Sequence, residues 1–349
     1  MQTTQIRLAS RPEGVPADEN FETVTVDLPA LEDGQVLLRV IYLSLDPYMR
    51  GRMSAAKSYA APAEVGAVLM GGTVCEVLES KDPKLAAGDV VLSYSGWQTH
   101  AVADGRGLHK LDPARAPVST AVGVLGMPGF TAYAGLLQIG RPQPGETVVV
   151  AAATGPVGSA VGQIAKVRGA RAVGIAGGPD KCQALLDEFG FDAAVDHRAD
   201  DFDEQLLAAV PDGVDVYFEN VGGPVSDAVF KRLNKFARIP VCGLVANYNA
   251  TGVPEGPDRL PGFLGRTLTL SLNIRGFIQD EFVADHYRDF LRDMSGWIGD
   301  GSVKYREDIV PGLENAPEAF RGLLTGKNFG KLLVQVGEDL SGPEAAITG

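Results

Sequence analysis

The sequence predicts an α/β fold class in which a β-rich domain is joined to a parallel, doubly wound sheet. Three observations carry that expectation. Up to about residue 125, short aliphatic or alternating runs are separated by Gly, Pro and Asp turns. Beyond it, strand and helix patterns alternate with short loops, as in a sheet covered by helices. The 43 glycines suit many tight strand-to-helix turns, and 349 residues suggest about two domains.

The elements follow in order. Strands are expected at residues 22–28, 36–43, 72–78, 89–92 and 100–103. Asp46-Pro47 breaks the second of these, since proline lacks a ladder donor and pushes its predecessor out of helical space. Tyr48, Arg50 and Arg52 follow on the resulting turn. Met127-Pro128-Gly129 marks a change of character, with a helix at 131–137 and a turn at Pro144-Gly145. Then come strand 147–152, helix 159–168, strand 171–176, helix 181–189 and strands near 193–196, 214–218 and 239–245. The proline-bearing stretch 247–265 reads as a surface excursion. Residues 331–336 read as a strand that returns to the first domain. The expected boundaries are 1–127 with 305–349 for the β-rich domain and 128–304 for the parallel-sheet domain.

Composition narrows the function. A formal charge of −13, with no basic run, argues against nucleic acid or an anionic membrane surface as partner. The N-terminus MQTTQIRLASRPEG has no apolar signal core, and runs such as 148–153 are too short to span a bilayer. A cytoplasmic protein is expected. Cys75, Cys182 and Cys242 form no CxxC pair, and His100, His109, His197 and His286 show no HxxxH spacing. No metal is expected.

The strongest local signal is VVVAAATGPVGSAVGQIAKVRGA. An aliphatic strand runs into Gly155-Pro156-Val157-Gly158, Ser159 opens an amphipathic helix, and Gly169 stands at its C′ position. Glycines here permit a tight turn and close approach of backbone to a pyrophosphate, which the helix N-terminus attracts with free N–H groups. Gly162, one turn on, lets the helix pack close to the sheet. Position between strand and helix is the context that makes this a dinucleotide site. An NAD site places a carboxylate at the tip of the next strand. Here that strand ends Ala176-Gly177-Gly178-Pro179, followed by Asp180-Lys181. Space plus a cation suits a 2′-phosphate, so the cofactor read from these residues is NADP(H), with Asp180 available as a helix cap.

Several segments together, LDPYMRGRM, GMPGFTAYAGL, AAATGPVGSAVGQIAK, FENVGG, CGLVANYN, RGF and GKNFGK, resemble the zinc-independent branch of the medium-chain dehydrogenase/reductase superfamily. More narrowly they resemble its prostaglandin reductase and 2-alkenal double-bond reductase group, which includes curcumin-reductase-like enzymes. The resemblance spans residues 36–336. It implies a GroES-like β-rich domain, an inserted Rossmann domain, NADPH and a homodimer. Where zinc members carry a Cys and a Gly-His-Glu segment, this chain has Ser44-Leu45-Asp46-Pro47 and Leu69-Met70-Gly71-Gly72. The acceptor must then be activated by hydrogen bonds rather than by a Lewis acid.

The resemblance implies roles for single residues. Tyr248 lies beside nicotinamide and substrate carbonyl, where its phenol can donate to the developing oxyanion or protonate the enolate. Tyr48 lines the substrate pocket and is a second catalytic candidate. Arg50 or Arg52 pairs with an acid or meets an anionic substrate or cofactor phosphate. Phe277 in RGF lines the pocket or a dimer strand. Thr131, Gly155, Val157, Gly158, Gly178, Lys181, Asn220, Cys242, Gly243 and Asn328 are the expected cofactor positions. Cys242 has no nearby base in sequence and reads as packing. Trp97 and Met127 read as core.

The leading function is NADPH-dependent reduction of the carbon–carbon double bond of α,β-unsaturated aldehydes or ketones, with a small-molecule enone or enal as the partner. A zinc-free NADPH quinone oxidoreductase is the alternative, and Tyr48 with Tyr248 favours the first. A crystallin-like or RNA-binding protein that keeps nucleotide affinity without turnover is a third, weakened by the negative charge.

Overall fold

The structure, a computed structural model, describes residues 1–252 and 257–339. Part of the expected loop 247–265 and the end of the expected 305–349 segment lie outside the described residues. The chain divides into two compact units, Met1–Gly123 with Glu307–Gly349, and Val124–Arg306.

The first unit is β-rich. It begins with β1 (Gln2–Leu8), β2 (Phe21–Asp27) and β3 (Gln35–Ser44), then a one-turn helix α1 (Tyr48–Arg52). Strands β4 (Thr73–Ser80), β5 (Val90–Ser93), β6 (His100–Asp104) and β7 (His109–Leu111) follow. The stretch after Asp46 is therefore helical. Pro47 sits at the N-cap, the end of a helix where its missing N–H costs least.

The second unit opens with α2 (Met127–Ala134), which passes into a wider π-helical turn at Gly135–Gly140. It continues β8 (Thr147–Ala151), α3 (Pro156–Val167), β9 (Arg171–Ala176), α4 (Pro179–Asp187), β10 (Ala193–Asp196) and α5 (Phe202–Ala209). Then come β11 (Val214–Phe218), α6 (Gly223–Phe230), β12 (Leu233–Val241), α7 (Leu260–Leu270), β13 (Asn273–Gly276) and α8 (Asp280–Gly299). The chain returns to the first unit with β14 (Glu307–Pro311), α9 (Ala316–Leu324) and β15 (Lys331–Gln335).

In the first unit β1 and β2 form an antiparallel pair, and a seven-stranded sheet runs β14-β15-β3-β4-β5-β7 with β6 on β3. The returning strand β15 lies antiparallel to β3, Val334 opposite Leu43. In the second unit all six strands are parallel in the order β10-β9-β8-β11-β12-β13, with the order reversing between β8 and β11. Val148, Val149 and Val150 are wholly buried, as both faces of such a sheet are covered by helices.

Several boundaries differ from expectation for local reasons. The third helix starts at Pro156, not Ser159, and α4 at Pro179, not Lys181, because proline fits the first turn of a helix. Gly178 is then the N-cap of α4, and Asp180 lies in the first turn rather than at the cap. The strand expected at 239–245 ends at Val241; Cys242 and Gly243 instead donate to the carbonyl of Glu219. Helix α7 begins inside the stretch read as a surface excursion. A Cβ on Gly162 would stand 1.9 Å from Cζ of Phe191, so this glycine admits a phenyl ring rather than the sheet.

Candidate active site

The carboxyl edge of the parallel sheet is built around the reversal between β8 and β11, the place where open sheets of this type bind ligands. At the tip of β8, Ala152 takes a left-handed φ of 52°, turning the chain abruptly into Gly155 and α3. Gly158 is required by close approach: a Cβ there would lie 2.4 Å from the Ala152 carbonyl oxygen. Pro156 occupies the first helical position, so the first-turn N–H groups left for an anion are those of Val157 and Gly158. Asn220, just beyond β11, donates Nδ2 to the Ala151 carbonyl at 2.8 Å and ties the two strand ends together.

Beyond β11 and β12 the two loops are zipped to each other. Cys242 and Gly243 donate to Glu219 O, Val245 to Asn220 O and Ala246 to Val221 O. The Glu219 carboxyl organises the same turn from below, accepting from Val221 and Gly222 N–H at 2.7 and 2.9 Å and from the Ser226 hydroxyl. Burial holds its pKa above the ordinary value despite those donors. This zipper carries Tyr248, whose hydroxyl folds back to lie 3.2 Å from where a Cβ on Gly243 would stand. The Cys242 thiol is pushed up to about 12 by burial and the Glu219 charge, which leaves it protonated and unreactive.

At the tip of β9 the side chains of β10's continuation close in. A Cβ on Gly177 would meet Arg198 Nε at 2.8 Å and His197 Nε2 at 2.9 Å. The Asp196 Oδ1 is engaged by main chain, accepting from the N–H groups of Gly178 (2.8 Å) and Arg198 (2.9 Å). Burial alone would raise the Asp196 pKa; the two main-chain donors outweigh it and hold it below the ordinary value. Lys181 lies on the first turn of α4, beside Gly178 at its N-cap with φ 102°. Sequence reading found Lys181 but missed His197 and Arg198. They stand at the end of the neighbouring strand, and only the parallel pairing of β10 with β9 brings them to Gly177.

Two further expected positions in this unit are buried. Thr131 is buried, with its hydroxyl donating to Met127 O at 2.8 Å, one turn back in its own helix. Phe277, expected at the pocket or a dimer strand, is buried: its ring meets Phe218 edge-on at 6.2 Å, and Gly135 has no room for a Cβ beside it.

The β-rich unit holds the remaining positions. Tyr48 opens α1, half-buried, and burial with the Asp46 charge beside it keeps its phenol protonated far above the ordinary range. Arg50, expected at the pocket, is buried and holds the loop after β1: Nε and Nη2 donate to Gly14 O at 3.2 and 2.8 Å, and Nη2 to Pro12 O at 3.3 Å. Asn328 lies before β15, Nδ2 donating to Gly330 O at 2.9 Å. Trp97 is core, stacked on Phe21 at 6.0 Å.

Comparison with known proteins places this arrangement. Residues 4–111 match the family described as "N-terminal domain of oxidoreductase", and residues 156–285 match that described as "Zinc-binding dehydrogenase". The chain is 54% identical over 332 residues to the NADPH-dependent curcumin reductase of Escherichia coli, covering 95% of this chain and 96% of that protein. The chain belongs to the zinc-independent medium-chain dehydrogenase/reductase family, in its enal and enone reductase group. Prostaglandin reductase 1 of Rattus norvegicus is 42% identical, covering 93% of this chain and 96% of that one. The crystal structure of CurA in complex with NADPH from Vibrio vulnificus superposes with a TM-score of 0.93 at 53% identity, covering 96% and 100% of the two chains.

One family description invokes zinc, and the side chains of this family member do not fit it. Among the described residues no three His, Cys, Asp or Glu side chains converge as ligands. In the turn where zinc-bearing members place a cysteine, Asp46 already accepts from Ser44 Oγ and from Lys331 Nζ.

Proposed function

We propose that this chain is an NADPH-dependent reductase of carbon–carbon double bonds conjugated to an aldehyde or ketone, with Tyr248 as the donor to the substrate oxygen. The observation that carries the reading is the Glu219–Gly243 zipper, which fixes the Tyr248 hydroxyl at the carboxyl edge of the sheet next to the strand reversal. When bound, NADPH supplies the hydride that adds to the β-carbon of the acceptor. As that bond forms, negative charge moves to the carbonyl oxygen. A protonated phenol held in place donates a hydrogen bond there and then a proton to the enolate, without reorganising as water would. Gly155, Val157 and Gly158 present the pyrophosphate subsite. Asn220, by joining the tips of β8 and β11, keeps the floor of that subsite level. The deciding assay is NADPH oxidation by purified protein with a 2-alkenal, with a quinone and with neither, before and after dialysis against a strong chelator. Turnover confined to the quinone would move the chain to the quinone reductases, and loss of turnover with the metal would overturn the hydrogen-bond mechanism.

The tip of β9 supports the choice of NADPH over NADH. A Cβ at Gly178 would meet open space, Lys181 stands on the first turn of the helix that Gly178 caps, and His197 and Arg198 close in on the neighbouring Gly177. A charge-assisted hydrogen bond contributes about 1.5–3 kcal/mol, so Lys181→Ala should weaken NADPH roughly 10- to 100-fold and leave NADH almost unchanged. The difference should shrink with salt, because the contact is exposed and screened. Titration of both cofactors checks this; equal losses would make Lys181 a residue of the fold.

We also infer a homodimer. Strand β13 is a sheet edge, and helix α7 beside it exposes Leu260, Leu264 and Leu268 to 57%, 55% and 80%. Residues four apart share one helix face, so this row is a continuous apolar stripe left exposed among the described residues. A second copy of the same edge and stripe is self-complementary. Leu264→Glu with Leu268→Glu should shift sedimentation to the monomer; an unchanged profile at low micromolar protein would remove the stripe from any interface. Free thiols at all three cysteines suit a reducing compartment, and we place the reductase in the cytoplasm.

A further inference from the structure

Glu219 is a buried carboxylate with no part in the proton transfer assigned to Tyr248. It stands one residue beyond β11 and is 3% exposed. Among the described residues no cation pairs with it, and N–H and O–H donors meet its charge instead. Oε1 accepts from the Val221 and Gly222 N–H groups at 2.7 and 2.9 Å, and the Ser226 hydroxyl donates to Oε2. Burial opposes the ionised form and holds its pKa above the ordinary value. A neutral side chain of similar size would cost less in such a place. The charge therefore calls for a use.

A peptide unit is planar and trans, with its N–H and the preceding C=O on opposite edges. Oε1, by holding the N–H groups of Val221 and Gly222, thereby aims the carbonyls of Asn220 and Val221. Those two carbonyls accept from the Val245 and Ala246 N–H groups at 3.2 and 2.9 Å. Val245 O in turn accepts from the Tyr248 N–H at 3.2 Å. An unbroken path of hydrogen bonds and rigid planes thus runs from the carboxylate to the main chain of Tyr248. The titratable groups that face Glu219 are the Tyr217 phenol, from β11, and the Cys242 thiol, just beyond β12. Burial and the Glu219 charge keep both protonated, and α6 contributes the Ser226 hydroxyl. Of these groups only Glu219 changes charge in acid.

We propose that ionised Glu219 is a positioning residue, which orients the peptide planes at Asn220–Val221 and Val221–Gly222 and so holds the loop that carries Tyr248. This rests on the role proposed for Tyr248, and the test separates the two. Glu219→Gln keeps the volume and an acceptor for both N–H groups, but exchanges charge-assisted hydrogen bonds for neutral ones about half as strong. At neutral pH and saturating NADPH, kcat with a 2-alkenal should fall about 3- to 10-fold. In a Tyr248→Phe background the same substitution should cost less than about twofold, because the hydroxyl it positions is gone. Wild-type kcat should also show an acid limb above the ordinary carboxylate range, where protonation brings it down to the level of Glu219→Gln, and the variant should lack that limb. Ser226→Ala should move the limb to higher pH, since the ionised form loses a donor. A merely structural carboxylate would lower kcat equally in both backgrounds and leave the pH profile unmoved. Equal losses in both backgrounds, a limb that persists in Glu219→Gln or one that Ser226→Ala leaves in place overturns this inference alone. Unchanged kcat in Tyr248→Phe overturns the Tyr248 reading and takes this inference with it.

Discussion

Tyr248→Phe should lower kcat with a 2-alkenal at least about tenfold, and up to the roughly 10²–10³ that one oxyanion donor contributes in other enzymes. The substitution keeps the ring and its packing, so the backbone zipper from Glu219 to Ala246 stays in place. Only the hydroxyl disappears. Water can replace it in part at an open edge, which sets the lower bound. NADPH affinity should be nearly intact, because the role proposed for the hydroxyl is toward the acceptor and not the pyrophosphate. Loss in kcat and kcat/KM together marks an interaction made in the transition state rather than in the ground state. Gly243→Ala gives an independent check by geometry: its Cβ would stand 3.2 Å from the Tyr248 hydroxyl and displace it without removing it. That variant should show a smaller loss in the same direction. An unchanged kcat in Tyr248→Phe takes the phenol out of the mechanism.

How far the sequence reveals this site depends on whether the signal is local. The turn from β8 into α3 is legible because its geometry is written in adjacent residues: an aliphatic run, glycines where Cβ atoms collide with Ala152, and an amphipathic helix. The absence of a carboxylate at the tip of β9 is legible for the same reason. His197 and Arg198 are not, since what matters is the pairing of β10 on β9. Phe277 and Arg50 are placed by motif, and motif does not show that the Phe277 ring packs on Phe218. Nor does it show that a guanidinium is occupied by the carbonyls of Pro12 and Gly14. Strand β1 escaped notice because its first four residues, Gln2 to Gln5, are all polar and only Ile6 and Leu8 at its end are apolar. Thr3 and Gln5 are nonetheless buried, and Gln5 Nε2 reaches Gln98 Oε1 at 2.8 Å, 93 residues away. Long-range polar partners leave no periodicity to read.

Lys331→Met should destabilise the β-rich unit by about 3–5 kcal/mol, the usual result of stranding one member of a buried ion pair. Lys331 and Asp46 side chains are only 3% and 7% exposed, with Nζ 2.7 Å from Oδ1. Nζ also donates to Leu45 O at 2.8 Å, and Ser44 Oγ caps the other carboxylate oxygen. Removing the ammonium leaves a desolvated carboxylate with one hydroxyl as company. The pair joins β15 to the turn that ends β3, so its loss is felt where Tyr48 begins α1. Asp46→Asn in the Lys331→Met background removes the stranded charge and keeps an acceptor for Ser44. It should recover a large part of the loss, because a neutral buried pair lacks the charge-desolvation penalty. Urea midpoints for the four proteins of this cycle, read at a probe in the β-rich unit, give the coupling directly. A single variant as stable as wild type, or a double variant no better than the single, would show that water reaches Asp46 and that the pair does not hold the turn. Catalysis adds a second reading. If the pair sets the direction of Tyr48, the double variant regains stability without regaining full turnover, since the neutral pair no longer fixes the turn through a charged contact.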